Sequence, residues 1–390
     1  MKVHPYNASL SSTSILNRDS MTLCDSKLRE SRCTRTWSQN HISSLRIFVG
    51  TWNMNGTVPR CNTFPFLNTT APREKDGGDS PAILDAPRAK PSSKFNLIAI
   101  GCQEARHTRA FRIWLDTCLK SYESDGYALV RVVKMGSLSL VLLAAWWMMA
   151  SIRIQTGCAT KNLFNRVLGN KGAVYACLDF KGLTILFVNC HFSAHQERVS
   201  ERRNDYKKLS TKISAQFKCH HEVEAGDVDL QQKFDHVFWF GDLNYRVNGT
   251  RSMVDLLLQR QDQEVMLSND QLVHEMKHGH VLDGFNESLI RFPPSYKFDT
   301  YKPKRWRIAR SGRNVLKVYP GGESCLSFYD TSNKCRIPSW TDRILFSTRA
   351  NDDKEVERVG IVCESYDCAM DSMESDHKPV FGEFSLSITQ

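Results

Sequence analysis

The chain reads as an α/β protein whose middle is carried by β-strands, with helices set between and around them. Three observations support this. Short apolar runs of about six residues recur along the chain and stop at Gly, Asn or Asp turns. Residues 111–119 and 197–217 have the spacing of helices, the second of them highly charged. With 41% hydrophobic and 24% charged residues in 390, the chain has the composition of an ordinary globular protein that buries a core without disulfide staples. Length leaves one large two-sheet domain and two separate domains both open.

Residues 1–40 are rich in Ser, Thr and Arg and lack the continuous apolar core of a secretory signal. Residues 1–44 are therefore expected to be a poorly ordered extension of a protein that stays in the cytoplasm. Residues 45–50 form the first apolar strand and run into Asn53 and Asn55. Residues 57–94 carry Pro, Gly, Asp and Ser without periodicity and read as a surface insertion. The next strand, 95–100, ends at Glu104. Strands are then expected at 127–133, 137–143, 145–154, 173–178 and 183–189, and another at 237–240, which ends at Asp242 and Asn244. A helix begins near residues 254–258, and the last strands fall within 337–346, near 359–363 and within 375–384. The most apolar stretch, 138–150, is too short to cross a bilayer and reads as buried strand.

The 52 Lys and Arg against 42 Asp and Glu leave a formal charge of +10, which favours a polyanionic partner. Thirteen cysteines, with no CxxC pair, read as reduced thiols. Cys219, His220 and His221 stand together but lack a second ligand pair, so they read as a solvated helix end.

Polar groups of one kind top four different strands: Asn53 with Asn55, Glu104, Asp242 with Asn244, and Asp376 with His377. Alone, each is an ordinary turn or surface group. Gathered at one sheet edge, they supply hard oxygen ligands for a cation, a carboxylate to deprotonate water, and amide and imidazole donors for a phosphoryl group. A metal-dependent phosphoesterase is the reading they support.

Eight ordered motifs sharpen it. They are Thr51-Trp52-Asn53-Met54-Asn55-Gly56; Gln103-Glu104; Asn170-Lys171-Gly172; Asn189-Cys190-His191-Phe192 with Ala194-His195; and the run from Phe240 to Arg246 that contains Gly241-Asp242-Leu243-Asn244. Downstream come Pro293-Pro294-Ser295-Tyr296-Lys297-Phe298-Asp299, Pro338-Ser339-Trp340-Thr341-Asp342-Arg343, and Ser375-Asp376-His377-Lys378-Pro379. In these motifs the chain resembles the inositol polyphosphate 5-phosphatases, from about residue 45 to 384. The resemblance implies a DNase I-like four-layered α/β sandwich, two mixed β-sheets packed face to face and flanked by helices, with a catalytic domain over 45–386.

The resemblance also implies roles. Glu104 would hold Mg²⁺ with Asn55 nearby, and Asp242 would activate the attacking water. Asn53, Asn244, His191 and His377 would contact the scissile phosphate. Asp342 would bond His377, and Asp376 would support the metal side. Tyr296, Lys297, Lys334 and Arg336 would grip a ring 4-phosphate, and Asn170 with Lys171 a 1-phosphate. The expected substrate is a phosphoinositide such as phosphatidylinositol 4,5-bisphosphate, with the 3,4,5-trisphosphate and soluble inositol polyphosphates as further candidates. Thr341 and Cys190 depart from the family's usual Cys and Ser, and neither removes a reacting group.

Residues 300–324 read as a second insertion. Seven Lys or Arg and no acid lie within 302–317, as expected of a strip that meets an anionic membrane surface peripherally, each charge contributing on the order of 1 kcal/mol. Nucleic acid is not the expected partner, and the sequence says nothing of protein partners. Two other readings stay open: a nuclease sharing the same catalytic core, and an inactive phosphoinositide-binding protein.

Overall fold

Twelve β-strands build two six-stranded sheets in the computed structural model, which describes residues 43–60, 64–66, 94–161, 171–217, 229–300, 329–349 and 360–388. These residues belong to one compact unit, Ser43–Gln390. The first sheet contains β1 (Ser44–Asn53), β2 (Leu97–Gln103), β3 (Tyr127–Met135), β4 (Leu138–Ala145), β11 (Ile361–Cys368) and β12 (Val380–Ser387), in the order β11-β12-β1-β2-β4-β3. The second contains β5 (Ile152–Thr160), β6 (Gly172–Phe180), β7 (Leu183–His191), β8 (His236–Asp242), β9 (Asn286–Glu287) and β10 (Asp342–Thr348), in the order β5-β6-β7-β8-β10-β9.

Each sheet has one parallel pair near its centre, β1 with β2 and β7 with β8, and every other pairing is antiparallel. A parallel pair brings two C-terminal strand ends to the same edge. In both sheets that edge carries the chemistry. Asn53 is level with Gln103, and His191 is level with Asp242. The antiparallel neighbours β10 and β12 present their N-terminal ends to the same edge, so Asp342 pairs with Asp242 and Val380 with Thr51.

Side-chain alternation decides which residues point where. On β1, Phe48 and Trp52 join an outer apolar cluster with Ile98, Ile100 and Phe111. Ile47, Val49, Thr51 and Asn53 occupy the other face. On β8, Val237 and Trp239 lie in the opposite outer cluster with Leu186, Leu209 and Leu272, which puts Phe238, Phe240 and Asp242 between the sheets. The polar residue that ends each central strand is thus turned inward. Helix α1 (Arg109–Ser124) covers the first sheet, capped by Thr108, whose Oγ1 accepts from Phe111 N at 3.2 Å. The second sheet is covered by α2 (Val199–Ser214), the short α3 (Leu230–Lys233) and α6 (Gln271–Lys277), while α4 (Arg251–Arg260) and α5 (Gln263–Ser268) lead into α6. Helix, sheet, sheet and helix make the four layers of the DNase I-like sandwich.

Two expectations need correction. Residues 145–154 are not one strand: Trp146–Ser151 is a 3-10 turn where the chain leaves the first sheet for the second. An apolar run carries no mark of a change of sheet. The strands within 337–346 and 375–384 start late, at Asp342 and Val380. Pro338 and Pro379 cannot donate to a ladder, and polar residues next to them, Thr341 after the first and Asp376 and His377 before the second, stand at the site edge instead. Within 57–94, most of which lies outside the described residues, Phe64 and Phe66 are fully buried against Trp114, Tyr122, Phe48 and Phe381. Helices α5 and α6 carry no counterpart in the sequence reading. Residues 1–42 of the expected 1–44 extension, the Cys219-His220-His221 group, Asn170 and the basic stretch 302–317 all lie outside the described residues, while Ser44 already belongs to β1.

Candidate active site

Where the two inward faces end, an open polar cavity of about 110 Å³ is lined by Asn53, Glu104, Lys171, His191, Ala194, Asp242, Asn244, Arg246, Tyr296, Asp376 and His377. Residues 324 positions apart in sequence meet because the central strands of both sheets stop at one level.

Asp242, fully buried, is the centre of the hydrogen bonding. Its Oδ2 accepts from Asn53 Nδ2 at 2.9 Å and lies 3.1 Å from His191 Nε2; its Oδ1 accepts from the Asn244 backbone N–H at 3.0 Å. Burial pushes the carboxyl up, but His191, His377 and Lys171 outweigh it and hold Asp242 well below the usual carboxylate range. A buried ion with this many donors stays ionised.

His377 faces Asp242 across the cavity and is tied from behind. Its Nδ1 is 2.9 Å from Asp342 Oδ2, and the same oxygen accepts from Ser295 Oγ at 2.8 Å and Thr341 Oγ1 at 2.9 Å. Burial would lower the imidazole's pKa, yet the carboxylates of Asp342, Asp242 and Asp376 win and raise it to about 10. His377 is therefore an imidazolium at neutral pH, with Nε2–H left for a ligand. Trp52 Nε1 donates to the His377 carbonyl at 3.1 Å and fixes the backbone there.

Several of these groups sit on strained backbone. Asn55, Glu104 and Asn244 have φ of +46°, +51° and +57°, a conformation that costs a non-glycine residue about 1–3 kcal/mol and clusters at functional sites. The strain lets the chain turn sharply at the strand end while the side chain stays at the edge. Gly241 has φ +136°, and a Cβ there would lie 2.0 Å from the Cys190 carbonyl oxygen. That close approach holds β8 against β7 one residue before Asp242.

The cavity also collects cations. Lys171 is in contact with His191. Burial lowers the pKa of both, and for the imidazole the neighbouring ammonium lowers it further. Arg246 donates through Nη2 to Asn244 Oδ1 at 2.5 Å and stands 4.4 Å over the Tyr296 ring, which lies 4.4 Å from His377. Lys297 Nζ is 3.7 Å from Asp376 Oδ2.

Of the residues named from the sequence, Asn53, Glu104, Lys171, His191, Asp242, Asn244, Tyr296, Asp376 and His377 reach the cavity wall, and Asp342 and Lys297 stand directly behind it. Three do not reach it. Asn55 is exposed, and its backbone N–H donates to Asn53 Oδ1 at 3.0 Å. Lys334 is exposed and Arg336 half-buried, in a loop that Arg251 ties down through the Arg336 carbonyl at 3.1 Å. Sequence reading assigned no role to Arg246, Ser295 or Thr341, although all three lie inside motifs quoted for their neighbours. The available signal was sequence proximity: Arg246 lies in the same motif as Asp242, Ser295 precedes Tyr296 and Thr341 precedes Asp342.

The donor set suits a hard cation at Glu104. Its carboxylate faces the cavity and has no hydrogen-bond or ion-pair partner among the described residues. Asp242, Asp342 and His377 also bring ligand atoms within 4.8 Å of one another, but a protonated His377 bonded to Asp342 offers no lone pair to a metal.

Comparison with known proteins agrees with the fold. The sequence model of the endonuclease/exonuclease/phosphatase family 2 matches residues 50–311 and 321–383. The chain is 27% identical to phosphatidylinositol 3,4,5-trisphosphate 5-phosphatase 1 of Xenopus laevis over 95% of its length and 34% of that protein. The human enzyme of the same name is 29% identical over 95% of this chain and 29% of its own length. The chain thus spans about a third of these relatives. Among solved structures, it is similar to the inositol polyphosphate 5-phosphatase domain of SPsynaptojanin in complex with inositol (1,4)-bisphosphate and calcium ion, with TM-score 0.62, 23% identity, and 88% of this chain and 85% of that chain covered. A Cimex nitrophorin, solved as its ferrous NO complex, superposes almost as well, with TM-score 0.61, 17% identity, and 89% of this chain and 100% of that one covered. One sandwich therefore serves proteins of different function, and the site residues must carry any assignment.

Proposed function

The chain belongs to the endonuclease/exonuclease/phosphatase family 2, and on that premise we propose that it is an inositol polyphosphate 5-phosphatase. Its substrates in this reading are phosphoinositides such as phosphatidylinositol 4,5-bisphosphate, with the 3,4,5-trisphosphate and soluble inositol polyphosphates as further candidates. One observation carries the proposal: a single cavity joins a buried ionised Asp242, an imidazolium His377 and an unpartnered Glu104 with the amides of Asn53 and Asn244. The names of the curated relatives, phosphatidylinositol 3,4,5-trisphosphate 5-phosphatases, support an inositol phosphate over a nucleic acid.

In this mechanism Asp242 orients and deprotonates the attacking water. Its donors keep it ionised and fixed, but they also make it a weak base. A phosphate dianion entering the cavity adds negative charge beside it and raises its basicity when a proton has to be taken. Asn53 and Asn244 each keep a second amide N–H, beyond those given to Asp242 and the Phe192 carbonyl, for a phosphate oxygen. His377 Nε2–H and Lys171 approach the same oxygens as charged or strongly polar donors. Glu104 would hold a hard divalent cation, Mg²⁺ in our reading, which when bound neutralises phosphate charge and polarises the ester. Tyr296, Lys297, Lys334 and Arg336 are the residues that would grip a ring 4-phosphate in this reading. Peripheral attachment to an anionic membrane through residues 302–317 belongs to the same proposal; no helix among the described residues is long and apolar enough to cross a bilayer.

Phosphate release from a panel of phosphoinositides and soluble inositol polyphosphates, with Mg²⁺ and with chelator, tests the assignment. Asp242→Ala is expected to lower release by about 10²–10⁴-fold. An unchanged rate in that variant, or cleavage of abasic DNA or poly(A) instead of inositol phosphates, overturns it.

A further inference from the structure

Residues 274–280 read His-Glu-Met-Lys-His-Gly-His, and none of them reaches the phosphate cavity. Helix α6 carries His274 and has His278 as its C-cap. Side chains four apart on a helix lie one turn apart on the same face, and these two ring centroids are 4.2 Å apart. The helix closes at Gly279, φ +65°, whose N–H donates to the Met276 carbonyl at 2.9 Å, while the His280 N–H donates to the Glu275 carbonyl at 3.0 Å. These are the two bonds of a Schellman turn, and the positive φ it requires is why glycine stands there. The turn folds the chain back, so that His280 stacks on His278 with centroids 5.7 Å apart and planes 23° apart. Three imidazoles stand in a row on the surface, all exposed.

Two of them already have one ring nitrogen engaged. His278 Nδ1–H donates to the His274 carbonyl at 2.8 Å, and His280 Nδ1 lies 3.2 Å from Glu275 Oε1 and 3.0 Å from Arg203 Nη2, which bridges the two residues. Each is left with Nε2. A carbonyl or carboxylate on one nitrogen and an open second nitrogen is how metal-ligating histidines are oriented. Glu275 itself is not available: it is 5% exposed and bidentate to Arg203, at 2.9 and 3.0 Å. In the His-Glu-x-x-His pattern of metallopeptidases the glutamate is the general base. Here it is sequestered, which removes hydrolysis from consideration and leaves binding.

We propose that His274, His278 and His280 form a surface site for a divalent transition metal, Zn²⁺ first, distinct from the phosphate cavity. Three imidazole nitrogens with a water complete a tetrahedral Zn²⁺ site, whereas Mg²⁺ selects oxygen ligands and does not compete. The three ring nitrogens do not converge within 4.8 Å of one another. Exposed rings reach that geometry by rotation about their side-chain bonds.

The test is Zn²⁺ titration of the full chain with Mg²⁺ in excess, with Co²⁺ as a visible-absorption probe of four-coordinate geometry. The expected result is one Zn²⁺ per chain bound at a site that His274→Ala/His278→Ala weakens by more than about tenfold. Phosphate release in Mg²⁺ is expected to be unchanged in that variant. Gly279→Ala keeps every ligand but opposes the turn, and is expected to weaken Zn²⁺ binding while far-UV circular dichroism stays unchanged. Equal Zn²⁺ affinity in the double histidine variant, or loss of the site in Glu104→Ala instead, overturns the proposal.

Discussion

His377 and Asp342 make the clearest case at the scale of single residues, because one bond sets both a charge state and an orientation. The folded pKa of about 10 lies above the ordinary histidine value of about 6.5. A raised pKa means that the folded chain binds the proton more tightly than the unfolded chain. The stabilisation is therefore complete below about pH 6.5 and is lost as pH rises through about 10. Thermal unfolding of the native chain and of His377→Gln across pH 6–11 is expected to show a gap that closes toward the top of that range. A gap that stays constant with pH would mean that the pair does not titrate as described. Phosphate release should fall over the same upper range, since the neutral ring loses its charged donor.

At the scale of elements, the site depends on turns and packing that its own residues do not provide. Gly241 lets β8 pass within contact of Cys190 on β7. Gly241→Ala meets both a backbone clash at 2.0 Å and a φ of +136°, so the expected outcome is loss of soluble folded protein, read by expression and near-UV circular dichroism. Phe64 comes from a segment whose composition reads as an insertion, yet it packs edge-on to Trp114 at 4.9 Å and offers its N–H to the Tyr122 hydroxyl at 3.0 Å. Phe64→Ala is expected to destabilise the chain by about 3–5 kcal/mol, measured by denaturant unfolding. A cost near zero would mean that this residue covers the core without supporting it. Composition missed it because two aromatics in a polar stretch leave no periodic signal.

At the scale of the whole molecule, the two sheets must be locked in register for their strand ends to share a cavity. A small polar bridge does this between β2 and β7. Gln103 Nε2 donates to Asn189 Oδ1 at 2.6 Å, and Asn189 Nδ2 donates to the carbonyls of Ser139 at 2.8 Å and Cys102 at 3.2 Å. Asn189 is fully buried, and Gly101 leaves room for it, since a Cβ there would lie 2.5 Å from its side chain. Asn189→Leu strands these groups in the core, each unsatisfied group costing about 1–3 kcal/mol. The expected result is a lower Tm together with a fall in kcat larger than any change in KM, because the halves of the cavity shift apart. A lower Tm with kcat intact would show that the bridge stabilises the sheets without setting their register.

Most of the strands and the polar residues at the ends of β1, β2 and β8 were legible in the sequence, because apolar runs and strand-end composition are local properties, while His191 was named only through the family resemblance. The same holds for His377 and Asp342, which stand in short motifs. Arg246 and Thr341 needed the folded chain, since their roles rest on contacts with Tyr296 and Asp342 rather than on spacing. The exclusion of Asn55, Lys334 and Arg336 from the cavity wall needed it too. Residue type says what a side chain can bind, while its distance from the site follows from how loops close between strands, and loop closure is set by contacts from across the chain. Sequence determined which polar groups stand at strand ends; the face-to-face packing of two sheets decided which of them meet.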